Sequence, residues 1–301
     1  MGLSAYNVKR WLKMLSGKSI YHVDQSLGQV IDQGGYYNDL TQKVVMGDSN
    51  LDEMGIPFLE HSDGSHVQMP TMVFQYGLGA YDLWLLEKKD SYRNKVKLCS
   101  DWACDKQEES GAWNNFFYIY PENPYCAMAQ GEGVSLLIRA YQLFGDDRYI
   151  KCAKKAIEFL LTDCRSGGVS KYDDSGVILL EYTHLPVVMN GWIFALWGLY
   201  DYCKIEPDQK TQDLYNKTVK TLIALLPKFT LTYWSKYDLG GMIASPFYHH
   251  LHIAQMEAMY QITGEELFKD YAEKWSRQEH NVCCKGLAFL IKVLQKIFEK
   301  E

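Results

Sequence analysis

The sequence repeats with a period of about sixty residues, and this repeat constrains the fold more than any other feature. Four apolar helical segments are each followed by a polar turn and then by a second helical pattern with a charged face. A tyrosine marks the same place in each first segment, at intervals of 60, 59 and 60 residues: Tyr81, Tyr141, Tyr200 and Tyr260. Each unit therefore predicts a helical hairpin.

The two helices of each predicted hairpin differ in where their apolar residues lie. The first helix, as in LLIRAYQLF, is apolar around most of its circumference and should be buried. The second helix, as in CAKKAIEFLLTD, is apolar on one side only. The second helices are predicted at residues 92–105, 147–163, 209–226 and 265–278. Such hairpins stack in a curve, so we predict a mainly all-α fold: an incomplete α/α toroid, or barrel, of about four hairpins around a central cavity.

The chain before the repeats has a different pattern. Residues 1–70 are expected to form an N-terminal arm with extended and turn segments, and residues 71–301 the α/α barrel domain. A short basic amphipathic helix is predicted at residues 7–18. Its lysines would suit peripheral contact with an anionic membrane surface, although its Trp11 and Leu15 could instead pack on the protein itself.

Composition narrows the function. The formal net charge is −6 and no long Lys/Arg run is present, which argues against binding to nucleic acid. An anionic sugar would need a local basic pocket, while the 14% aromatic content suits stacking on sugar rings. The 8 cysteines lack zinc-ligand spacing, and no secretory or membrane-spanning segment is apparent. We therefore expect reduced thiols and a cytoplasmic location.

Ionisable side chains concentrate at loop ends that lead into or run beside the first helices of the hairpins. The segments are Glu181-Tyr182 with Asn190, Tyr237-Asp238, and 248–252, which the toroid would bring to one mouth. Removing a proton beside a carboxylate requires a base, a proton donor and neutralisation of the developing charge. Glu, Tyr and His can fill the first two roles. By residue type alone, capping a helix or pairing with a lysine is a commoner role for Glu181 than catalysis, and Tyr182 and Tyr237 could be core residues.

The same segments resemble the C-terminal domain of the D-glucuronyl C5-epimerases. The resemblance rests on five stretches: PTMVFQYGLGAYDL (70–83), NPYCAMAQGEGVSLLIRAY (123–141), EYTHLPVVMNGWIFALWGLYDY (181–202), YDLGG (237–241) and YHHLHIAQM (248–256). It implies an α/α barrel that binds a uronic-acid polysaccharide and inverts C5, converting D-glucuronate to L-iduronate.

The resemblance also implies roles for individual residues. Glu181 and Tyr248 would face opposite sides of C5 as the proton-exchanging pair. Tyr182 and Tyr237 would hydrogen-bond to the carboxylate and stabilise the enediolate. Further residues are predicted to border the substrate: Gln75, Tyr76, Asn190, His249 and His252. No cofactor and no metal are predicted, because His249, His250 and His252 would not all lie on one face of a helix and side chains can handle the proton exchange.

Two departures from the animal enzymes affect what the resemblance implies. Gly240 and Gly241 stand where those enzymes carry a basic residue, and β-rich domains that complete their cleft are absent from this sequence. The cleft is therefore expected to be shorter, or to be completed by a second subunit in a homodimer. The setting predicted is microbial polysaccharide synthesis. The alternatives are a polysaccharide lyase that begins with the same proton abstraction, a glycoside hydrolase, and a non-catalytic glycan-binding helical-repeat protein.

Overall fold

The computed structural model describes residues 25–47, 50–60, 64–174 and 176–298. The amphipathic helix predicted at residues 7–18 lies outside these residues. In chain order the α-helices are α1 (Thr41–Gly47), α2 (Pro70–Glu87), α3 (Asp90–Lys106), α4 (Ala127–Phe144), α5 (Asp147–Leu160), α6 (Met189–Ile205), α7 (Gln209–Leu225), α8 (Pro246–Thr263), α9 (Glu266–His280) and α10 (Val282–Phe298). The mainly helical fold predicted from the repeat is confirmed.

The short strands form two antiparallel hairpins. Strand β1 (Leu59–Glu60) pairs with β2 (His66–Val67), and β3 (Ser170–Asp173) pairs with β4 (Gly176–Leu179). In the second hairpin Ser170 lies opposite Leu179. Short 3-10 helices lie at Ile31–Gln33, Cys164–Ser166 and Leu226–Phe229. The β3–β4 hairpin matters for function because β4 delivers the chain to Glu181.

Four helical hairpins form the body: α2–α3, α4–α5, α6–α7 and α8–α9. The first helix of each lies inside and packs against the first helix of the next hairpin. These inner helices are almost wholly buried, whereas the outer helices bury one side. Tight turns close two of the hairpins, with Gly145 at φ 68° and Gly264 at φ 71°, a backbone region that suits glycine. The predicted α/α toroid of four hairpins is thereby confirmed.

One helix ends earlier than predicted, and another helix was not predicted. Helix α5 ends at Leu160, earlier than predicted, because the Asp163 side chain accepts a hydrogen bond from the Arg165 backbone and begins a 3-10 helix instead. Helix α10 was not predicted at all. It follows the fourth hairpin without a partner helix one repeat away, so the sixty-residue period carries no information about it.

The described part of the N-terminal arm lies between the first and last inner helices. The Ser26 hydroxyl contacts His250 Nε2 of α8 at 3.1 Å, and the Tyr36 backbone N–H donates to Asp82 of α2 at 2.9 Å. Tyr36 and Tyr37 belong to the same apolar core as the inner helices. The arm also contains α1, where only extended or turn structure was predicted. Its separation from the barrel at residue 70 stays a prediction.

The inner helices all run in one direction. Gln75 near the start of α2 contacts Glu132 near the start of α4, whereas Arg139 and Asp201, near the ends of α4 and α6, pair with each other. One end of the toroid therefore gathers the N-termini of the inner helices, which we call the N-terminal mouth. Within the described residues, none of the helices combines the length and apolar character needed to cross a bilayer.

Candidate active site

Glu181 lies at the N-terminal mouth, between β4 and the start of α6. The Ala127 backbone N–H donates to the Leu180 carbonyl at 2.8 Å, which ties this segment to the start of α4. Asn190 Nδ2 donates to Glu181 Oε2 at 3.4 Å. A Cβ atom at position 191 would lie 2.2 Å from the same oxygen, so Gly191 is needed for this close approach. The carboxylate is thus held against the first turn of α6.

The environment of Glu181 changes its acidity. Burial raises the pKa of its carboxyl to about 7, while the Tyr182 hydroxyl and the Gly191 backbone N–H act in the opposite direction by stabilising the charged form. Across the described chain no Lys or Arg forms an ion pair with Glu181, so the alternative of a lysine partner has no support there. A carboxyl group with a pKa near neutrality can accept a proton at physiological pH, which suits a general base.

Three tyrosines surround this carboxyl group. Tyr182 follows it directly and stacks on Phe116, with ring centroids 4.8 Å apart and planes 10° apart. The rings of Tyr237 and Tyr248 pack with centroids 4.8 Å apart. Tyr182 and Tyr237 interact through their hydroxyls, and both are affected by the charge of Glu181. The structure thus brings the four predicted catalytic residues together.

The tyrosines are suited to donate protons. Burial, followed by the nearby Glu181 charge, raises the pKa of Tyr182 above its ordinary value, and the same causes act in the same order on Tyr237. Both hydroxyls are therefore protonated at neutral pH and can donate hydrogen bonds to an anion. Part of each ring remains accessible, as it does for Tyr248. The cluster is consequently open enough to be reached by a ligand.

A second buried acid lies beside this cluster and was not identified from the sequence. Gln75 Nε2 donates to Glu132 Oε1 at 2.7 Å, which places Gln75 next to the site. Burial, together with the charge of Glu181, raises the pKa of Glu132 to about 8. Its signal in the sequence was a lone acid within the apolar and small residues of AMAQGEGVSLLI. An acid on the buried helix of a hairpin is costly to keep without a purpose.

Three of the predicted substrate-binding residues are not brought to the cluster. The Tyr76 hydroxyl accepts from Lys95 Nζ of α3, so its side chain faces the outer helix. His249 and His252 are fully buried, and the Ser235 hydroxyl bridges their Nδ1 atoms at 2.8 and 2.9 Å. His249 also stacks on Trp234. In this arrangement the three side chains support the fold around the site, and their contact with a substrate stays a prediction.

The three histidines of residues 249–252 lie in different environments. Burial lowers the pKa of His249 to about 4 and that of His252 below its ordinary value, so both are neutral at physiological pH. His250 points elsewhere, towards Glu279 of α9 at 3.1 Å and Ser26 of the arm. His250 therefore has partners of its own, whereas His249 and His252 share the Ser235 hydroxyl.

Aromatic residues extend from the cluster towards solvent. Phe116 and Tyr120, in the loop between α3 and α4, both pack on Tyr182. The same loop exposes large apolar side chains, which are Phe117, Tyr118 and Ile119. Exposed aromatic rings next to a polar cluster are typical of carbohydrate-binding surfaces, because flat rings stack on the apolar faces of sugars.

Comparison with known proteins agrees with this arrangement. Residues 107–277 match the family model described as the D-glucuronyl C5-epimerase C-terminus. The D-glucuronyl C5-epimerase of Caenorhabditis elegans is 26% identical over 232 residues, covering 65% of this chain and 38% of that protein. An uncharacterized protein of Methanocaldococcus jannaschii is 31% identical over 155 residues, covering 50% of each chain. The chain therefore spans half or less of the length of these two relatives.

Solved structures agree on the fold. The unsaturated glucuronyl hydrolase from Bacillus sp. GL1 superposes with a TM-score of 0.50 at 16% identity, covering 79% of this chain and 66% of that chain. At this level of identity the likeness concerns the α/α toroid and not the reaction. The family match covers more than half of the sequence and includes Glu181, Tyr182, Tyr237 and Tyr248. The chain accordingly belongs to the D-glucuronyl C5-epimerase family, and the part of the family that it matches is the C-terminal domain.

Proposed function

We propose that the protein is a uronyl C5-epimerase that converts D-glucuronate to L-iduronate within a polysaccharide. One observation carries the proposal: an acid whose pKa is raised to about 7, without a cationic partner among the described residues, lies among tyrosines that remain protonated. A carboxylate of this kind can take a proton from carbon, and phenols of this kind can support the anion that results.

The steps follow from these groups. The Glu181 carboxylate takes the C5 proton, and the electron pair of the broken C–H bond moves into the sugar carboxylate to form an enediolate. Tyr182 and Tyr237 donate hydrogen bonds to its oxygens. Tyr248 delivers its hydroxyl proton to the opposite face of C5. Exchange with solvent then returns a proton to Tyr248 and removes one from Glu181, which restores the starting state.

A polymeric substrate is supported by the surroundings of the cluster. The loop between α3 and α4, whose Phe116 and Tyr120 pack on Tyr182, also exposes the aromatic side chains of Phe117 and Tyr118. The N-termini of the inner helices, which carry partial positive charge, gather at the same mouth and favour a carboxylate there. Both features fit a uronic-acid chain lying across the mouth.

The wider setting is proposed from the sequence. We propose a cytoplasmic enzyme of microbial heparosan-like polysaccharide synthesis, in peripheral contact with the membrane through residues 7–18. A homodimer would complete the shorter cleft. These proposals are separate from the reaction and do not affect its test.

The test is incubation with unsulfated heparosan in deuterated water. Deuterium should appear at C5, iduronate should form and chain length should stay constant, as followed by NMR and size-exclusion chromatography. Tyr248→Phe should lower the exchange rate at least about a hundredfold, because it removes one proton donor and keeps the ring. Tyr260→Phe is the matched control, since Tyr260 lies at the other end of the same helix.

Other outcomes would identify other reactions. Chain fragments with an unsaturated uronate that absorbs in the ultraviolet would identify a lyase. Shorter chains without label at C5 would identify a hydrolase. Binding of the polymer without exchange would identify a glycan-binding protein. A wild-type rate in Tyr248→Phe would remove Tyr248 from the reaction and leave it a packing residue.

A further inference from the structure

The proposed substrate is an anion, and the candidate site contains two buried acids, Glu181 and Glu132. Bringing a third carboxylate to them in a partly desolvated mouth is unfavourable unless a cation is present. Gly240 and Gly241 follow Tyr237-Asp238-Leu239 and provide no charge. The structure therefore raises the question of which side chain supplies the positive charge.

Helix α1 of the arm lies against the face of α2 that carries Gln75. A Cβ atom at Gly79 would come within 2.3 Å of the Leu40 carbonyl oxygen and 3.1 Å of the Val44 side chain. Gly79 follows Gln75 by one helical turn, so the two positions share a face of α2. The glycine thus allows the start of α1 to approach the inner helix directly beside Gln75, whose amide is bound to Glu132.

Lys43 lies on α1 between these two contacts. Its backbone N–H donates to the Leu40 carbonyl at 3.0 Å. Protein atoms surround its ammonium group, while the residue as a whole keeps part of its surface accessible. Its charge and that of Glu132 act on each other. Although burial lowers the pKa of Lys43 to about 8, it stays mostly protonated at neutral pH.

The Lys43 ammonium group and the Glu132 carboxylate attract each other without direct contact. In the described part of the chain, no ion pair within 4.0 Å joins Lys43 to Glu132. Gln75 occupies Glu132 Oε1, while Glu132 Oε2 is buried and has no hydrogen-bond partner. Glu132 Oε2 is therefore able to form a hydrogen bond with a polar group of a ligand.

A second lysine near the cluster is already engaged. Lys292 of α10 lies 5.8 Å from the centre of the Tyr237 ring, and its ammonium donates to the Ile243 carbonyl at 2.7 Å. Its position is therefore set by the protein itself. Lys43 has no comparable contact among the described residues.

We propose that Lys43, supplied by the N-terminal arm, binds the carboxylate of the uronic acid residue at the site. Glu132, held by Gln75, keeps the ammonium directed into the mouth. Lys43 would thereby determine specificity for uronic acids over neutral sugars and offset the charge of the enediolate. The inference rests on the proposed function only for the identity of the ligand as a hexuronate.

The test measures binding by calorimetry with two probes, an unsulfated heparosan oligosaccharide and the same oligosaccharide with its carboxylates reduced to alcohols. Lys43→Met should weaken binding of the first probe roughly tenfold to a hundredfold, the effect of losing a charged hydrogen bond, and leave the second unchanged. Lys43→Arg should recover part of the loss. Lys220→Met, which removes an exposed lysine of α7, is the matched control.

The outcomes separate this inference from the proposed reaction. Wild-type exchange at C5 with unchanged binding in Lys43→Met would overturn the inference and leave the reaction standing. Selective weakening without any exchange would support the inference and contradict the reaction. Selective loss in Lys292→Met instead would assign the carboxylate to Lys292. If both Lys43→Met and Lys43→Gln unfold, Lys43 serves to neutralise Glu132 within the fold and the proposal fails.

Discussion

The two ends of the inner helices both contain buried polar clusters, but the clusters are built differently. At the C-terminal end, Arg139 pairs with Asp201 at 2.6 Å, and the Tyr37 hydroxyl donates to the same carboxylate at 2.5 Å. Arg139 also donates to the backbone carbonyls of Gly35 and Ser135. Most of the buried charge there is matched by an opposite charge or a hydrogen bond.

At the N-terminal mouth Asn190 and Gln75 donate hydrogen bonds to the two acids, but no cation of the described residues forms an ion pair with them. The pKa values of Glu181 and Glu132 are raised to about 7 and about 8, mainly by burial. Buried acids that keep a raised pKa destabilise the folded protein at neutral pH, and such groups concentrate where chemistry requires them. The comparison therefore indicates that the matched cluster holds the arm in place, and it supports the proposal that the cluster at the N-terminal mouth is the active site.

The largest effect is expected for Glu181→Gln. Loss of the base should lower the rate of C5 exchange at least about a thousandfold, with little loss of thermal stability because the neutral amide replaces a poorly solvated acid. Exchange is measured by NMR and stability by calorimetry. Asp82→Asn is the control, since burial raises the pKa of Asp82 to about 7 at the opposite end of α2. An equal loss in Asp82→Asn would break the comparison.

Whereas Glu181→Gln should cause little loss of stability, Arg139→Met should destabilise the protein. It leaves Asp201 buried without its partner and should reduce the free energy of unfolding by about 3–5 kcal/mol. The matched control is Arg148→Met, which breaks exposed ion pairs with Asp101 and Asp105 and should cost less than about 1 kcal/mol. Both are measured by denaturant unfolding. Similar costs for the two variants would show that the C-terminal cluster does not hold the fold.

The smallest effect is expected in the pH dependence of stability. The pKa of Glu132 is raised from 4.5 to about 8, so the folded state binds more protons than the unfolded state, and stability falls as pH rises through this window. The comparison is made between about pH 6.5 and pH 8, because this window lies above the ordinary pKa of 6.5 for the buried histidines. Over this window the free energy of unfolding of Glu132→Gln should fall by roughly 2 kcal/mol less than that of the wild type. Parallel curves would show that Glu132 titrates normally.

The sequence predicted the helical hairpins well because their signal is local. Whether a helix is apolar all round or on one side can be read within one repeat, and the sixty-residue period then relates the units. The four proposed catalytic residues were predicted through the family resemblance, and the structure places them in one cluster. By contrast, α10 lies outside the repeat, and α1 is too short for a periodic pattern to be detected.

Other features depended on the tertiary structure. Gln75 and Tyr76 are neighbours in sequence, but an α-helix turns by about 100° per residue, so one faces Glu132 and the other faces Lys95 of the outer helix. His249 and His252 suggested substrate contact by type, although Ser235 and the surrounding aromatic rings enclose them.

By itself, the sequence determined the repeat, the hairpins and the residue types available for proton transfer, since each depends on residues close together in the chain. Only the tertiary structure decided which acids meet. The arm brings Lys43 towards Glu132, and β4 delivers Glu181 to the start of α6. Lys43, Glu132 and Glu181 are far apart in sequence, and their effect on one another arises from burial in a shared space, which no local pattern records.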